Sequence, residues 1–422
     1  MAEVCVLGLG YVGLPTASVL ATAGFQVLGV DVNPKVVEQL NSGKTLLKET
    51  GLATLVSAAH KSGNLVAAVK PEASDTFIIC VPTPVTPDHG VDLRAVEAAA
   101  RAIAAVVKPG NLVILESTSP VGTTRNVVGR ILSEHGLAPG QDVHLCYCPE
   151  RVLPGNTIAE LINNDRIIGG FTRESAEHAQ EIYARFSQGN VALTDDLTAE
   201  MSKLMENTFR DVNIALANSF ARIAEDAGVN VWEAIQLANR HPRVQILSPG
   251  PGVGGHCIPV DPWFFVQAFP KHTELLKKAR EVNDTQAERM LDRLAATGDL
   301  PAGSKLALLG AAYKANIDDP RESPALRMAH AATARGFRVS VHDPHVEPAT
   351  WEGVPIGAEL GACLKDAAAA VLLTEHTAYR ALSGRVFAEA MQGRLILDTR
   401  NWLNHASLRL SGFKVLVLGR PA

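Results

Sequence analysis

Short apolar runs closed by glycine, proline or an acid alternate along this chain with stretches of helical spacing. Glu3–Leu9 (EVCVLGL) reads as a buried strand, and LPTASVLATAG behind it as a helix. A second apolar strand, Gln26–Val30, ends in Asp31. Further strands are predicted over Thr76–Val81, Asn111–Glu116 and His144–Cys148, each running into a Pro- or Thr-containing loop. Thr198–Gly228 carries long helical periodicity through Leu204, Phe209, Val212, Leu216, Phe220 and Ile223, with Gly228 as its stop. Helices are also predicted over Val231–Ala238 and Glu274–Ala296. After the turn residues Leu300-Pro301-Ala302-Gly303 the strand–helix alternation restarts, with strands over Lys305–Gly310, Arg338–His342, Ala370–Thr374, Leu395–Asp398 and Lys414–Leu418.

This order predicts an α/β fold: two Rossmann-like, doubly wound parallel-sheet domains joined by a long central helix and a helical dimerisation region. The boundaries expected are 1–195, 196–297 and 298–422. The length of 422 residues suits two or three such cores. At 47% hydrophobic and 20% charged residues, with a net charge of −5, the composition is that of an ordinary soluble protein without a basic nucleic-acid surface. Six cysteines in a chain this long lack disulfide-like density and fit a reducing, cytoplasmic compartment. The first residues, MAEVCVLGLG, do not read as a signal peptide, and no apolar run is long enough to span a bilayer.

The first candidate chemistry is Gly8-Leu9-Gly10-Tyr11-Val12-Gly13 between strand and helix. Glycines at that spacing permit a tight turn, close approach of the backbone to a pyrophosphate, and close helix–strand packing. Asp31, roughly 20 residues on, suits the adenosine ribose hydroxyls and would repel a 2′-phosphate, so NAD is expected rather than NADP. Thr83, Thr118 and Glu150 follow predicted strands, where parallel sheets present ligand groups. Helix capping is the other reading of the threonines, and a surface position that of the acid. Cys146 and Cys148, two apart, are expected on opposite faces of their strand, which speaks against a shared metal site. Lys203 and Asn207 share one helix face, directed at ligands or solvated.

The loop Pro249–Trp263 (PGPGVGGHCIPVDPW) is the densest signal. Its glycines let the backbone pass close to a ligand, and its single thiol, Cys257, is either a nucleophile with Asp261 nearby or an inert core residue. Arg240 and Arg243 before it suit phosphate or solvent, as do Lys314 and Arg321 after the first C-terminal strand.

Together, VLGLGYVGLPTA, LVILESTSPVGTT, YCPERVLPG, TAEMSKLMENTFRDVNIALAN, NRHPRVQILSPGPGVGGHCIPVDPWF and YKANIDDPRESPA resemble the UDP-glucose/GDP-mannose dehydrogenases over nearly the whole chain. The resemblance implies a four-electron oxidation of C6 of a nucleotide sugar, with two NAD consumed in turn. UDP-N-acetylmannosamine is the sugar implied, UDP-N-acetylglucosamine the alternative, and a two-electron β-hydroxyacid-type reaction or bare NAD sensing the rivals outside the class. It implies that Cys257 forms a thiohemiacetal and then a thioester. Lys203 and Asn207 stabilise the C6 oxygen, Asp261 moves a proton through water, Glu150 serves thioester hydrolysis, and Thr118 holds water. Implied cofactor contacts are Gly8, Gly10, Tyr11, Val12, Gly13, Asp31, Pro82, Thr83, Thr118 and Arg321. Implied substrate contacts are Glu150, Arg151, Val152, Lys203, Asn207, Arg243, Gly254 and Lys314, with Arg243 reaching a neighbouring subunit. His256 receives no role. A homodimer or higher homo-oligomer, a place in polysaccharide biosynthesis, and no metal, nucleic acid or membrane are expected.

Overall fold

The computed structural model describes residues 2–47, 49–86, 88–153 and 155–421. They form two compact units: residues up to Glu206 with Trp263–Phe269, and Asn207–Pro262 with the residues from Pro270 on.

The first unit is built on strands β1 (Ala2–Leu7), β2 (Val27–Val30), β3 (Leu65–Ala68), β4 (Ser74–Ile79), β5 (Leu112–Leu115), β6 (His144–Tyr147), β7 (Arg166–Gly170) and β8 (Val191–Asp195), in spatial order 3-2-1-4-5-6-7-8. All pairs are parallel except β6 with β7. Side chains of one strand go to opposite faces. Val4 and Val6 therefore enter one apolar core while Cys5 and Leu7 enter another. With both faces covered, β1 reads as a continuous apolar run rather than an alternating one.

The second unit repeats the plan with β9 (Lys305–Leu309), β10 (Arg338–His342), β11 (Ala349–Trp351), β12 (Val354–Gly357), β13 (Ala369–Leu372), β14 (Leu395–Asp398) and β15 (Lys414–Val417), ordered 11-12-10-9-13-14-15. Only the β11–β12 hairpin is antiparallel. Leu306 and Leu308 face one core, Ala307 and Leu309 the other. Both sheets thus carry the topological switch beside their first strand, where doubly wound folds take ligands.

The long helix spans Asp196–Ala227, and Gly228 follows it at φ 73° as its left-handed stop. Leu204 is buried as its periodicity requires, but most other buried positions are small or polar, including Lys203, Asn207, Asp211, Ala215, Ala217, Asn218 and Ala221. Phe209, Leu216, Phe220 and Ile223, apolar by periodicity, are exposed. The helix expected over Glu274–Ala296 is two, Glu274–Asp284 and Gln286–Ala295. They part at Thr285, whose hydroxyl donates to Glu281 O (2.7 Å), a back-bond that competes with the helical ladder. Cys146 and Cys148 also differ from expectation. Residues two apart on a strand share a face, and both thiols enter the same core.

Candidate active site

In the first unit the three glycines divide the work. A Cβ on Gly8 (φ 90°) would stand 2.5 Å from Cys80 O, and one on Gly13 1.9 Å from Gly8 O, so backbone packing demands both. A Cβ on Gly10 would meet nothing within 4 Å, and Gly10 is exposed at the carboxyl end of β1. That open side is where a diphosphate needs bare backbone ahead of the helix Gly13–Thr22. Tyr11 is exposed beside it and Val12 half-buried. Asp31, at the end of β2, accepts from Leu9 N (2.9 Å) and Asn33 N (2.8 Å), which holds its carboxylate against the glycine loop. These residues fit NAD: space for the diphosphate, helix N–H groups, and an acid for ribose.

Thr83 and Thr118 lie after β4 and β5. The Thr83 hydroxyl donates to Thr118 O (2.6 Å), linking the two loops. Neither caps a helix, because the helices that follow start at Arg94 and Thr124. Pro82 is exposed beside them. Glu200 of the long helix, absent from the sequence reading, accepts from Gly122 N, from Thr124 N (2.7 Å) and from the Thr124 hydroxyl (2.7 Å). It thereby ties down the chain just beyond Thr118. Burial pushes its carboxyl up to about 7, against the pull of those donors.

Glu150 follows β6 and is nearly buried, so it is no surface acid. Its Oε1 accepts from Arg151 N (2.7 Å). Arg151 is fastened to Asp165 O (2.9 Å) and paired with Glu206 (2.8 Å); Val152 is half-buried. Lys203 is buried one turn ahead of buried Asn207, which removes the solvated reading of this helix face.

In the second unit Cys257 is the one exposed cysteine of six. Burial pushes the thiols of Cys5 and Cys148 up to about 12, so those are structural. The Cys257 carbonyl accepts from Val260 N (3.1 Å) and Asp261 N (2.8 Å), closing a turn into the helix Asp261–Ala268. Asp261 is buried, and its Oδ2 accepts from Asn207 Nδ2 (2.6 Å). The structure therefore gathers Cys257, Asp261 and Asn207. Just before the cysteine, a Cβ on Gly254 would stand 2.7 Å from Glu322 O and 2.8 Å from Tyr313 Cβ. Gly255 N donates to Arg321 O (3.3 Å). These contacts pack the cysteine loop on the loop that carries Lys314. Arg321 itself grips Asp319 with two hydrogen bonds, 2.8 and 2.6 Å. Arg243 is exposed, its Nη2 3.5 Å from His241 Nε2. The ring of His256 is held below its ordinary pKa by desolvation and by the Arg321 charge.

The Lys314 loop has an anchor that sequence reasoning missed. Asp343, at the end of β10, accepts from Ala311 N (2.7 Å), Ala312 N (2.9 Å) and His376 Nε2 (2.9 Å) through Oδ2. His376 Nδ1 accepts from Asn316 N (2.9 Å), which places the ring proton on Nε2. Asp343 stands to Ala311 as Asp31 stands to Leu9, an acid after the second strand bonded to the loop after the first. The Asp343-Pro344 pair ending a predicted strand was the available signal.

Comparison with known proteins covers the whole fold. Models of the UDP-glucose/GDP-mannose dehydrogenase family match in three parts: the NAD binding domain over residues 2–187, the central domain over 197–285 and the UDP binding domain over 307–405. UDP-N-acetyl-D-mannosamine dehydrogenase of Methanocaldococcus jannaschii is 46% identical, covering 99% of this chain and 96% of the relative. NDP-N-acetyl-D-galactosaminuronic acid dehydrogenase of Ralstonia nicotianae is 47% identical over 94% and 95%. Among solved structures, UDP-D-ManNAc dehydrogenase of Pyrococcus horikoshii superposes with a TM-score of 0.92 at 38% identity, over 99% of both chains. The α/β architecture, the NAD cofactor and the family resemblance expected from the sequence all hold.

Proposed function

The chain belongs to the UDP-glucose/GDP-mannose dehydrogenase family, and from that premise we propose that it oxidises the C6 hydroxyl of UDP-N-acetyl-D-mannosamine to the carboxylate. The observation that carries the reading is the exposed Cys257, one turn ahead of the buried Asp261–Asn207 pair. The sugar is supported by the names of the Methanocaldococcus and Pyrococcus relatives. The Ralstonia relative supports an N-acetylgalactosamine-type sugar as a second reading, and UDP-N-acetylglucosamine is a third.

Over the whole reaction one alcohol, one water and two NAD⁺ become one carboxylate, two NADH and three protons. Bound NAD supplies the hydride acceptor, held by Gly8, Gly10, Tyr11, Val12, Gly13, Asp31, Pro82, Thr83, Thr118 and Arg321. Asp261 takes the alcohol proton through a water as the first hydride leaves C6. Lys203 and Asn207 stabilise charge on the C6 oxygen. An amide has two N–H bonds, so Asn207 serves that oxygen while still donating to Asp261. The Cys257 sulfur bonds to the aldehyde carbon and restores a tetrahedral C–H; loss of the second hydride leaves a thioester. Glu150 takes a proton from the attacking water, the latter oriented by Thr118, and collapse breaks the C–S bond and returns the thiol. Arg151, Val152, Gly254, Lys314 and, from a neighbouring subunit, Arg243 contact the nucleotide sugar.

The three segments 1–195, 196–297 and 298–422 bind cofactor, bridge subunits and bind UDP in this reading, supported by the three family matches. A homodimer or higher oligomer is supported by the exposed apolar positions Phe209, Leu216, Phe220 and Ile223 on the long helix. Among the described residues no helix is long and apolar enough to cross a membrane. The free cysteines support the cytoplasm, and the uronate product a role in polysaccharide biosynthesis.

The test is NADH stoichiometry on purified UDP- and GDP-sugars, with Cys257→Ser and Cys257→Ala alongside. Two NADH per UDP-N-acetylmannosamine, and no uronate from either variant, are expected. One NADH per substrate supports the two-electron class, binding without turnover supports a sensor, and normal uronate from Cys257→Ala ends the covalent scheme.

A further inference from the structure

A buried charge cluster lies behind Glu150. Arg166, the first residue of β7, is 4% exposed. Its Nη2 donates to Leu161 O (2.9 Å), and its guanidinium carbon sits 4.6 Å from the Tyr183 ring centroid and 5.5 Å from that of Phe186. Its Nη1 is 3.6 Å from Glu150 Oε2, within ion-pair range but outside hydrogen-bond reach. That Oε2 is buried without a hydrogen-bond partner in the structure. On the other side, the Tyr183 hydroxyl donates to Glu116 Oε1 (2.5 Å). Glu116 Oε2 accepts from Cys80 Sγ (3.1 Å) and the Thr16 hydroxyl (3.4 Å).

Two carboxylates thus lie near one guanidinium, Glu150 at 3.6 Å and Glu116 within its electrostatic reach. With all three ionised the cluster carries a net negative charge, and burial disfavours that strongly. Glu116 is the deeper, 2% exposed and engaged by three neutral donors on both oxygens. Burial first, then the neighbouring Glu150 charge, push it up, while Arg166 pulls it down. Glu150 has one oxygen on a backbone N–H and the other open toward Arg166.

We propose that Arg166 is a positioning residue for Glu150: held by Leu161 O and by the Tyr183 and Phe186 rings, its guanidinium draws Glu150 Oε2 inward and so sets the carboxyl group that works on water. This rests on the reading that Glu150 serves thioester hydrolysis. Among the described residues, the groups near Glu150 include Arg151 on its own loop, Glu206 of the long helix through Arg151, and Cys148 beside it in sequence. Cys80 follows β4, Glu116 follows β5, Arg166 opens β7, and Tyr183 comes from the helix Arg173–Tyr183.

The experiment follows the decay of acyl-Cys257 after rapid quench, and the pH profile of kcat, in the full-length enzyme. Arg166→Gln moves the acid limb up by about one unit and prolongs the acyl-enzyme about tenfold below neutral pH; Arg166→Lys lies between. Glu116→Gln, an equally buried change in the same cluster that leaves the Arg166–Glu150 pair in place, keeps the limb at its wild-type position. A destabilising substitution alone does not separate the two variants in this way. Should Arg166→Gln fail to fold, Arg166→Lys carries the same sign. A limb that shifts alike in the Arg166 and Glu116 variants, or that stays at the wild-type position in Arg166→Gln while Glu150→Gln blocks acyl decay, overturns the role of Arg166 alone. Unchanged decay in Glu150→Gln overturns the reading of Glu150 and this proposal with it.

Discussion

Asn207 donates its amide to the Asp261 carboxylate across 2.6 Å, with both side chains buried. The helix that starts at Asp261 is closed onto Cys257 by the Asp261 N–H (2.8 Å). One side chain of the long helix therefore sets the carboxylate that follows Cys257.

Replacing Asn207 with Ala removes this hydrogen bond to a buried carboxylate. The expected cost is about 1–3 kcal/mol of stability and about 10²-fold in kcat. Asn207→Asp sets two carboxylates against each other and lowers activity further at neutral pH than at pH 5. Denaturant unfolding and saturated turnover measure the two effects; wild-type kcat in Asn207→Ala would remove Asn207 from the mechanism.

The glycine loop offers a matched pair. Gly10→Ala meets no atom within 4 Å, so the protein should fold with wild-type stability while NAD binding weakens about tenfold or more. Gly13→Ala drives a methyl into Gly8 O and should destabilise by about 3 kcal/mol. Calorimetric titration with NAD and thermal melting separate the two. Equal melting losses would mean that Gly10 is held by packing as well.

Asp343 makes stability depend on acid. Burial opposes its charge, but the hydrogen bond from His376 and the N–H groups of Ala312 and His345 hold it down at about 2. The folded pKa lies below the unfolded one, so the contribution is complete above about pH 4 and lost as pH falls toward about 2. Asp343→Asn should therefore cost about 2 kcal/mol at neutral pH and flatten the acid limb of stability. His376→Ala frees Asn316 N–H and should raise KM for the nucleotide sugar several-fold with KM for NAD unchanged. An acid limb identical in wild type and Asp343→Asn contradicts this.

The outer side of the long helix is apolar without a cover in the monomer: Phe209 is 60% and Ile223 61% exposed. Patches of this kind mark interaction surfaces. Phe209→Glu with Ile223→Glu should lower the mass seen by light scattering by half or more, with the far-UV spectrum intact. An unchanged mass places the subunit contact elsewhere.

Much of this molecule could be read from near neighbours in the chain. Element order, the two doubly wound sheets, the glycine loop with Asp31 and the glycine-rich loop at Cys257 all follow from periodicity, turn residues and short spacings, which act within a few residues. Tertiary structure alone decided the rest. Asn207 meets Asp261 across 54 positions. Arg166 comes within 3.6 Å of Glu150, Asp343 and His376 hold the Lys314 loop, and Phe209, Leu216, Phe220 and Ile223 of the long helix turn outward while Lys203, Asn207 and Asp211 are buried. Such pairings depend on which elements pack together, and burial then sets their charge states. Neither packing nor burial is carried by the spacing of residues along the chain.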